Sequence, residues 1–368
     1  MANVTYVFTQ NRKTNYETNS IQAREFYYGL PFIDKKKHKI NIIEFETPSK
    51  SYSKIINLFD EILRRFLSLP FYTSKLVNKN NFDIFKNTDH LIMVAESTGL
   101  SSFLFLVMLK KRHKINTHLF VMGLYSKKLR FPFFKKIHFA IIKLFINYLD
   151  NIFFLGQSEF NKAKKIHNNS KKFHYFPFCI DTEFWSSSGI DLKTNNQIIF
   201  VGNDGNRNVE LLKAIAAKMK NFNFLFVSQI NTIKTIDLPN VQVISGAWGD
   251  KKISDSNLKD LYSKSRLCIL PLKNSTQPSG QSVALQCMSL GVPVLISKTD
   301  GFWDIQKFNE NIEIFFAENN LDEWTEKIQD LYEDLPLLKK VALNAQTIVR
   351  KDFNLQEFNN KIQSTLNL

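Results

Sequence analysis

Long apolar runs are missing from this chain of 368 residues. No stretch of about 18 uncharged apolar residues occurs, which excludes an ordinary membrane-spanning helix. The nearest approach, 139–155, is broken by Lys143, Asn147 and Asp150. Residues 1–20 are largely polar after Val4–Phe8, without the apolar core of a secretory signal. Cysteine is scarce. Cys179, Cys268 and Cys287 share no disulfide-like or metal-like spacing, and two lie in apolar runs, which points to buried thiols in a reducing compartment. The loop after the first apolar run, 10–20, has no glycine, which excludes a dinucleotide fingerprint there. Acids are short in one region only: residues 101–180 hold 15 Lys+Arg against 2 Asp+Glu.

That local shortage accounts for the charge of the whole. The chain carries +15, yet residues 195–368 hold 19 basic and 19 acidic side chains. Residues 1–194 hold 30 and 15, so the excess is confined to the first half, whose partner is expected to be anionic. With 44% hydrophobic and 23% charged residues the chain is globular, and its length suits two domains, each with its own core.

Strands alternate with helices throughout. Strands are expected at Asn3–Thr9, Lys39–Phe45, His90–Ala95, His118–Met122 and Asn151–Leu155. Helical stretches are expected at Ala23–Leu30, Tyr52–Leu69, Leu100–Leu109, Pro132–Leu149 and Gln157–His167, with 10–20 as a polar loop. After a polar hinge at 186–196, strands are expected at Gln197–Val201, Phe222–Val227, Val241–Ser245, Arg266–Pro271, Pro293–Ile296 and Ile312–Phe316. Helices fall at Leu211–Met219, Leu258–Ser263, Ser282–Leu290, Leu321–Tyr332, Leu337–Val349 and Leu355–Leu368. This order predicts an α/β protein of two Rossmann-like, doubly wound parallel sheets. Ligand crevices in such sheets lie at the carboxyl ends of the strands, which places Glu96 at a crevice. Glu96 is then either a catalytic acid or base, or a solvated loop acid.

Two loops carry the strongest chemistry. Lys273–Gln281 leads from strand to helix, with Ser279-Gly280-Gln281-Ser282 at the junction. The first N–H groups of a helix lack internal partners and sit at the positive end of its dipole. Gly280 leaves the backbone open to a ligand, so the junction suits a diphosphate. The competing reading is a helix capped by Ser279 or Ser282 with nothing bound. Gly202-Asn203-Asp204-Gly205-Asn206-Arg207 is a second loop entering a helix, and its Arg207 can bind phosphate oxygens bidentately. Against this stands a surface arginine facing Asp204 or Glu210. Gly246–Asp250 is placed to border a nucleotide base. No cluster of metal-ligand spacing occurs, and no permanently bound cofactor or metal is expected.

The segment 125–149 is basic and aromatic: Lys127, Lys128, Arg130, Phe131, Phe133 and Phe134 lead into a helix with Lys136, Lys143 and Asn147 in one stripe. It reads as a core helix with snorkelling lysines, or as an element pressed on an anionic membrane surface; the charge count favours the membrane. No recognisable nucleic-acid module is present.

The stretch Gln286-Cys287-Met288-Ser289-Leu290-Gly291-Val292-Pro293-Val294 resembles the nucleotide-sugar-binding domain of GT-B glycosyltransferases, nearest to glycosyltransferase family 4 (group 1). The family motif has two Glu residues separated by seven others, then Ala-Met-Ala, Gly and Pro-Val. Here Gln286 stands at the second Glu, which the resemblance implies hydrogen-bonds the ribose, and Pro278 at the first, which contacts the donor sugar. Phe173–Trp185, with Asp181-Thr182-Glu183-Phe184, resembles the segment closing the first domain of GT-B enzymes, and Arg207 falls near the family's basic diphosphate clamp. The resemblance implies an acceptor-binding, membrane-facing domain at 1–185, a linker at 186–196, a nucleotide-sugar domain at 197–351, and a helix at 352–368 crossing back to the first domain. It implies a metal-independent, hexosyl-type transferase taking a nucleotide-diphosphate sugar, with Gly202, Asn203, Arg207, Lys273, Ser279, Gly280, Gln281, Ser282 and Gln286 on the donor. The acceptor is expected to be a lipid, lipid-linked or polysaccharide molecule at the cytoplasmic face of the membrane. A catalytically silent scaffold, suggested by the two missing acids, and a sugar-nucleotide epimerase are the alternatives.

Overall fold

The computed structural model describes all residues except 10, 19–21, 48–50, 112, 169, 188, 190, 247–252 and 367–368, and the backbone alone at 51–53. It divides into two compact units: Met1–Ser20, Tyr27–Phe176 and Ile362–Leu368 form one, and Ile21–Phe26 with Pro177–Lys361 the other.

The first unit runs β1 (Ala2–Phe8), α1 (Arg12–Glu17), β2 (His38–Glu44), α2 (Ser51–Leu67), α3 (Lys79–Lys86), β3 (His90–Val94), α4 (Glu96–Leu109), β4 (Asn116–Val121), α5 (Lys135–Asn147), β5 (Asn151–Phe154), α6 (Gln157–Ile166) and β6 (Phe173–Tyr175). Its strands pair in the order β2-β1-β3-β4-β5-β6, all parallel. Strand order reverses between β1 and β3, which makes the ends of those strands the natural ligand crevice. The strands are apolar runs because helices cover both faces of a parallel sheet; β3 is buried from Leu91 to Val94.

Several local expectations change here. The polar stretch after β1 is α1, not a loop: Asn11 turns left-handed, and Glu44 of β2 accepts the backbone N–H groups of Arg12 and Lys13 that the helix start leaves open. Ala23–Leu30 forms no helix; 3₁₀ turns at Glu25–Tyr27 and Leu30–Phe32 are separated by left-handed Tyr28 and Gly29. α3 and the short edge strand β6 were not anticipated. Asn78 caps α3 by accepting from Asn81 N, the signal that goes with it.

The second unit contains β7 (Gln197–Val201), α7 (Val209–Lys218), β8 (Asn223–Val227), α8 (Asn231–Lys234), β9 (Val241–Ile244), α9 (Asp255–Ser263), β10 (Ser265–Leu270), α10 (Gln281–Leu290), β11 (Val294–Ser297), β12 (Phe315–Ala317), α11 (Leu321–Glu333), α12 (Leu335–Asp352) and the start of α13 (Leu355–Leu366), whose residues from Ile362 onward belong to the first unit. The parallel order β12-β11-β10-β7-β8-β9 is that of a dinucleotide-type sheet, with its switch point between β7 and β10. β12 begins three residues later than the expected Ile312, because 310–314 turns back on itself and Asn311 is left-handed. The 186–196 segment packs onto this unit: Leu192 is buried and Ser187 Oγ donates to Leu290 O at 2.7 Å.

α10 is buried from Val283 to Leu290, so it carries no polar face. A complete Schellman turn ends it: Gly291 N reaches Met288 O at 3.0 Å and Val292 N reaches Cys287 O at 2.9 Å. Gly291 has φ 86°, the left-handed value its missing Cβ permits.

Candidate functional site

In the second unit the loops after β7 and β10 are tied to each other. Asn208 N donates to Pro271 O at 2.9 Å, Lys273 N to Asn206 O at 2.7 Å, and Asn206 Nδ2 to Ser279 Oγ at 2.8 Å. Asn208 caps α7 by accepting from Leu211 N at 3.2 Å, and left-handed Gly280 precedes α10. The two helix N-termini therefore open on the same side of the sheet's switch point, beside a cleft of about 400 Å³.

Arg207 stands where these loops meet. Its side chain is 4% exposed, and Nε and Nη1 have no hydrogen-bond partner among the described residues. Its nearest acid is Asp204, with Oδ2 3.5 Å from Nη1. Of the surface-arginine reading the partner Asp204 holds, but the surface placement is corrected, because Arg207 is buried. Gly202 is required by this packing, because a Cβ there would lie 2.0 Å from Arg207 Nε. Gly280 would bring a Cβ to 3.3 Å from Nη1.

The cleft brings together Gly202, Asn203, Arg207, Ser282 and Gln286 of the expected donor residues. Lys273, Ser279, Gly280 and Gln281 are not on its lining. Lys273 Nζ donates instead to Gly205 O at 3.2 Å, holding the first loop, and Ser279 accepts from Asn206. Asn203 also serves the fold: its amide N–H donates to Gly246 O at 3.0 Å and its oxygen accepts from Gln229 N. Gly246 borders the cleft, whereas 247–250 of the expected base-side stretch lie outside the described residues.

Phe26, Asp255 and Tyr262 also line the cleft and were not anticipated. Phe26 and its neighbour Glu25 arrive on the short segment that belongs to this unit despite its early place in the chain. No local signal marks them. Asp255 accepts Ala23 N at 3.1 Å and Gln22 N at 3.2 Å, and burial raises its pKa. Glu25 is fully buried, and burial pushes it up to about 7 against the pull of donors from Gln286 and Trp185.

A second cleft, of about 450 Å³, opens at the switch point of the first unit, lined among others by Thr9, Glu46, Tyr72, Lys75, Glu96 and Lys127. Glu96 is not a solvated loop acid. It is the first residue of α4, 6% exposed, and its Oε2 accepts Met122 N at 3.2 Å with Lys127 Nζ 3.5 Å from Oε1. Behind it Glu159 is fully buried; burial, reinforced by Glu96, pushes it up to about 8. Ala95, just before Glu96, has φ 87° and ψ 152°, a region that suits only glycine. Ala95→Gly is expected to stabilise the first unit by about 1 kcal/mol, strain relief outweighing the added freedom of the unfolded chain; urea unfolding midpoints measure it.

Residues 195–334 match the family model described as Glycosyl transferases group 1. Over those residues the chain is similar to that family. The whole chain has the GT-B architecture. A glycosyltransferase of Rickettsia africae ESF-5 is 16% identical, with 99% of this chain and 97% of that one covered and a TM-score of 0.64. Sucrose-phosphate synthase of Thermosynechococcus elongatus is 12% identical, covering 100% and 98%, with a TM-score of 0.70. Anabaena HepE, solved in complex with UDP-glucose, is 11% identical over 100% of both chains, with a TM-score of 0.68. These likenesses are of fold. No curated protein matches the chain.

Proposed function

We propose that this nucleotide-sugar glycosyltransferase holds the donor in the cleft of its second unit and transfers the sugar to a lipid, lipid-linked or polysaccharide acceptor at an anionic membrane surface. The observation that carries the donor half is the buried guanidinium of Arg207, whose Nε and Nη1 make no hydrogen bond among the described residues, beside the N-terminus of α10. A diphosphate gains negative charge as it leaves; Arg207 and the first N–H groups of α10 oppose that charge, and their fixed placement lowers the barrier. Gln286 is assigned to the ribose. Glu96, in the cleft of the first unit, is assigned to the acceptor hydroxyl.

The membrane half rests on the outer face of the first unit. α5 turns His138, Ile142, Phe145 and Ile146 into the core and leaves Lys135, Lys136, Lys143, Ile137 and Leu144 exposed. Phe133 is 88% exposed, and Phe131 stacks on Phe66 of α2 at 5.6 Å. α2 continues the apolar surface with exposed Ile55, Leu58, Phe59 and Ile62. No described helix is long and apolar enough to cross a membrane. Phospholipid vesicles with about a third anionic lipid are expected to bind the protein at low salt and release it above about 0.5 M, where charges are screened beyond a few ångströms. Phe133→Asp with Phe59→Asp should weaken that binding at least tenfold. Binding to neutral vesicles alone, or none, would sink the membrane assignment. For the donor half, transfer or hydrolysis with UDP-, GDP- or CMP-linked sugars is the assay, and silence with every donor would favour a scaffold.

A further inference from the structure

Gln286 borders the donor cleft, but it does not stand alone there. Glu25 Oε1 accepts Gln286 Nε2 at 2.9 Å and Trp185 Nε1 at 2.8 Å, while Asp181 N lies 3.4 Å from Oε2. From the other side Tyr262 O–H donates to Gln286 Oε1 at 3.2 Å. All four side chains belong to the second unit, and Glu25 and Trp185 are each 1% exposed.

Two N–H donors occupy both lone pairs of Glu25 Oε1, so a proton on this acid can sit only at Oε2. Oε1 stays an acceptor in either state, and the nitrogen of the Gln286 amide must face it. Tyr262 fixes the oxygen end. The amide is thus held at both ends, with one N–H and one lone pair left over. A vicinal diol offers the complement, a hydroxyl that accepts and one that donates. Burying a carboxyl is costly unless its partners are in place, which is a poor way to gain stability alone.

We infer that Glu25 is a positioning residue for the ribose of the donor, acting with Tyr262 to lock the Gln286 amide toward the 2′,3′-diol. The inference rests on the donor reading above and adds to it a residue from the opposite end of the chain. An acid is therefore still present next to the position where the resembled family has one, supplied by Glu25 rather than by residue 286.

Isothermal titration of the full chain with UDP, GDP and ADP, each beside its 2′,3′-dideoxy counterpart, tests this. The unaltered protein should prefer its ribonucleotide at least tenfold. Glu25→Met, which removes the acceptor while keeping length, should cut that preference to about twofold or less and leave dideoxynucleotide affinity within about threefold. Glu25→Gln, whose carbonyl still accepts, should restore most of the preference. Tyr262→Phe removes the other end of the clamp and should act like Glu25→Met, which covers the case that the latter does not fold. An undiminished ribose preference in Glu25→Met or Tyr262→Phe overturns the inference and leaves the donor reading intact. Equal loss of both nucleotide forms in Glu25→Met and Glu25→Gln marks a merely structural role and overturns it too. If the unaltered protein binds no nucleotide, the donor reading fails, and the inference with it.

Discussion

Arg207→Ala is expected to lower affinity for a nucleoside diphosphate at least 100-fold, while the unliganded protein becomes no less stable. The two signs come from one fact. The guanidinium is buried to 4% exposure, its Nε and Nη1 make no hydrogen bond among the described residues, and Asp204 offers Nη1 only a loose ion pair at 3.5 Å. A buried cation with unmet donors costs free energy, so its removal relieves the empty protein. A bound diphosphate meets those donors with paired, charge-assisted hydrogen bonds in a place poor in water, where losing one partner costs about 2–5 kcal/mol. Arg207→Lys should not rescue binding, because an ammonium lacks the planar fork. Gly202→Ala should reproduce much of the loss, since its Cβ would occupy a point 2.0 Å from Nε and expel the guanidinium. Titration calorimetry beside urea unfolding reads both quantities. A variant that binds as tightly as the original would move the donor site elsewhere.

The second large effect is acid sensitivity in the first unit. His118 is 2% exposed, faces His90 with 3.4 Å between ring nitrogens, and lies 3.2 Å from Asn151 Nδ2. Burial pushes it down to about 3; His90, Lys110 and His174 add to the shift and Asp150 opposes it. A histidine of depressed pKa contributes stability above its unfolded value of about 6.5, and loses it as pH falls towards the folded value, because only the unfolded chain takes the proton. Between pH 7 and pH 5 this amounts to about 2 kcal/mol. Glu159, raised to about 8, works in the opposite direction, since its contribution is complete below about 4.5 and fades as pH rises. The test must therefore be differential. Relative to the original protein, His118→Phe should gain about 2 kcal/mol on going from pH 7 to pH 5, read by urea unfolding at each pH. A gap that does not change with pH would show that His118 is not the acid-sensitive group.

The sheets were legible because parallel strands covered on both faces are nearly pure apolar runs: Gln197–Val201, Cys268–Leu270 and Val294–Ile296 announce themselves. Gly280 and Gly291 bracket α10 for reasons visible in the sequence, a strand-to-helix junction and a left-handed stop. Boundaries set by partners distant in sequence were not legible. α1 depends on Glu44 of the next strand to occupy its open N–H groups, and the composition of 10–20 does not contain that fact. The site divides in the same way. Arg207 could be picked from a loop that also held glycine, but its burial follows from the bonds that tie that loop to the next, from Asn208 to Pro271, Lys273 to Asn206 and Asn206 to Ser279. Glu25 and Phe26 could not be found at all, because their relevance depends on which unit a six-residue segment joins. Lys273 and Ser279 look like phosphate ligands by residue type, yet they hold the loops in place.

That six-residue segment has a practical meaning. Cutting the gene at codon 177 looks like the way to make the second half by itself, since the longest run of the first unit ends at Phe176. The resulting fragment would lack Ile21–Phe26: the indole of Trp185 and the amide of Gln286 would each lose an acceptor, and Asp255 the two N–H groups it receives. Dissection by truncation should therefore give a fragment with a gap in its own core, and a soluble donor-side module would have to carry that hexapeptide on an engineered leader.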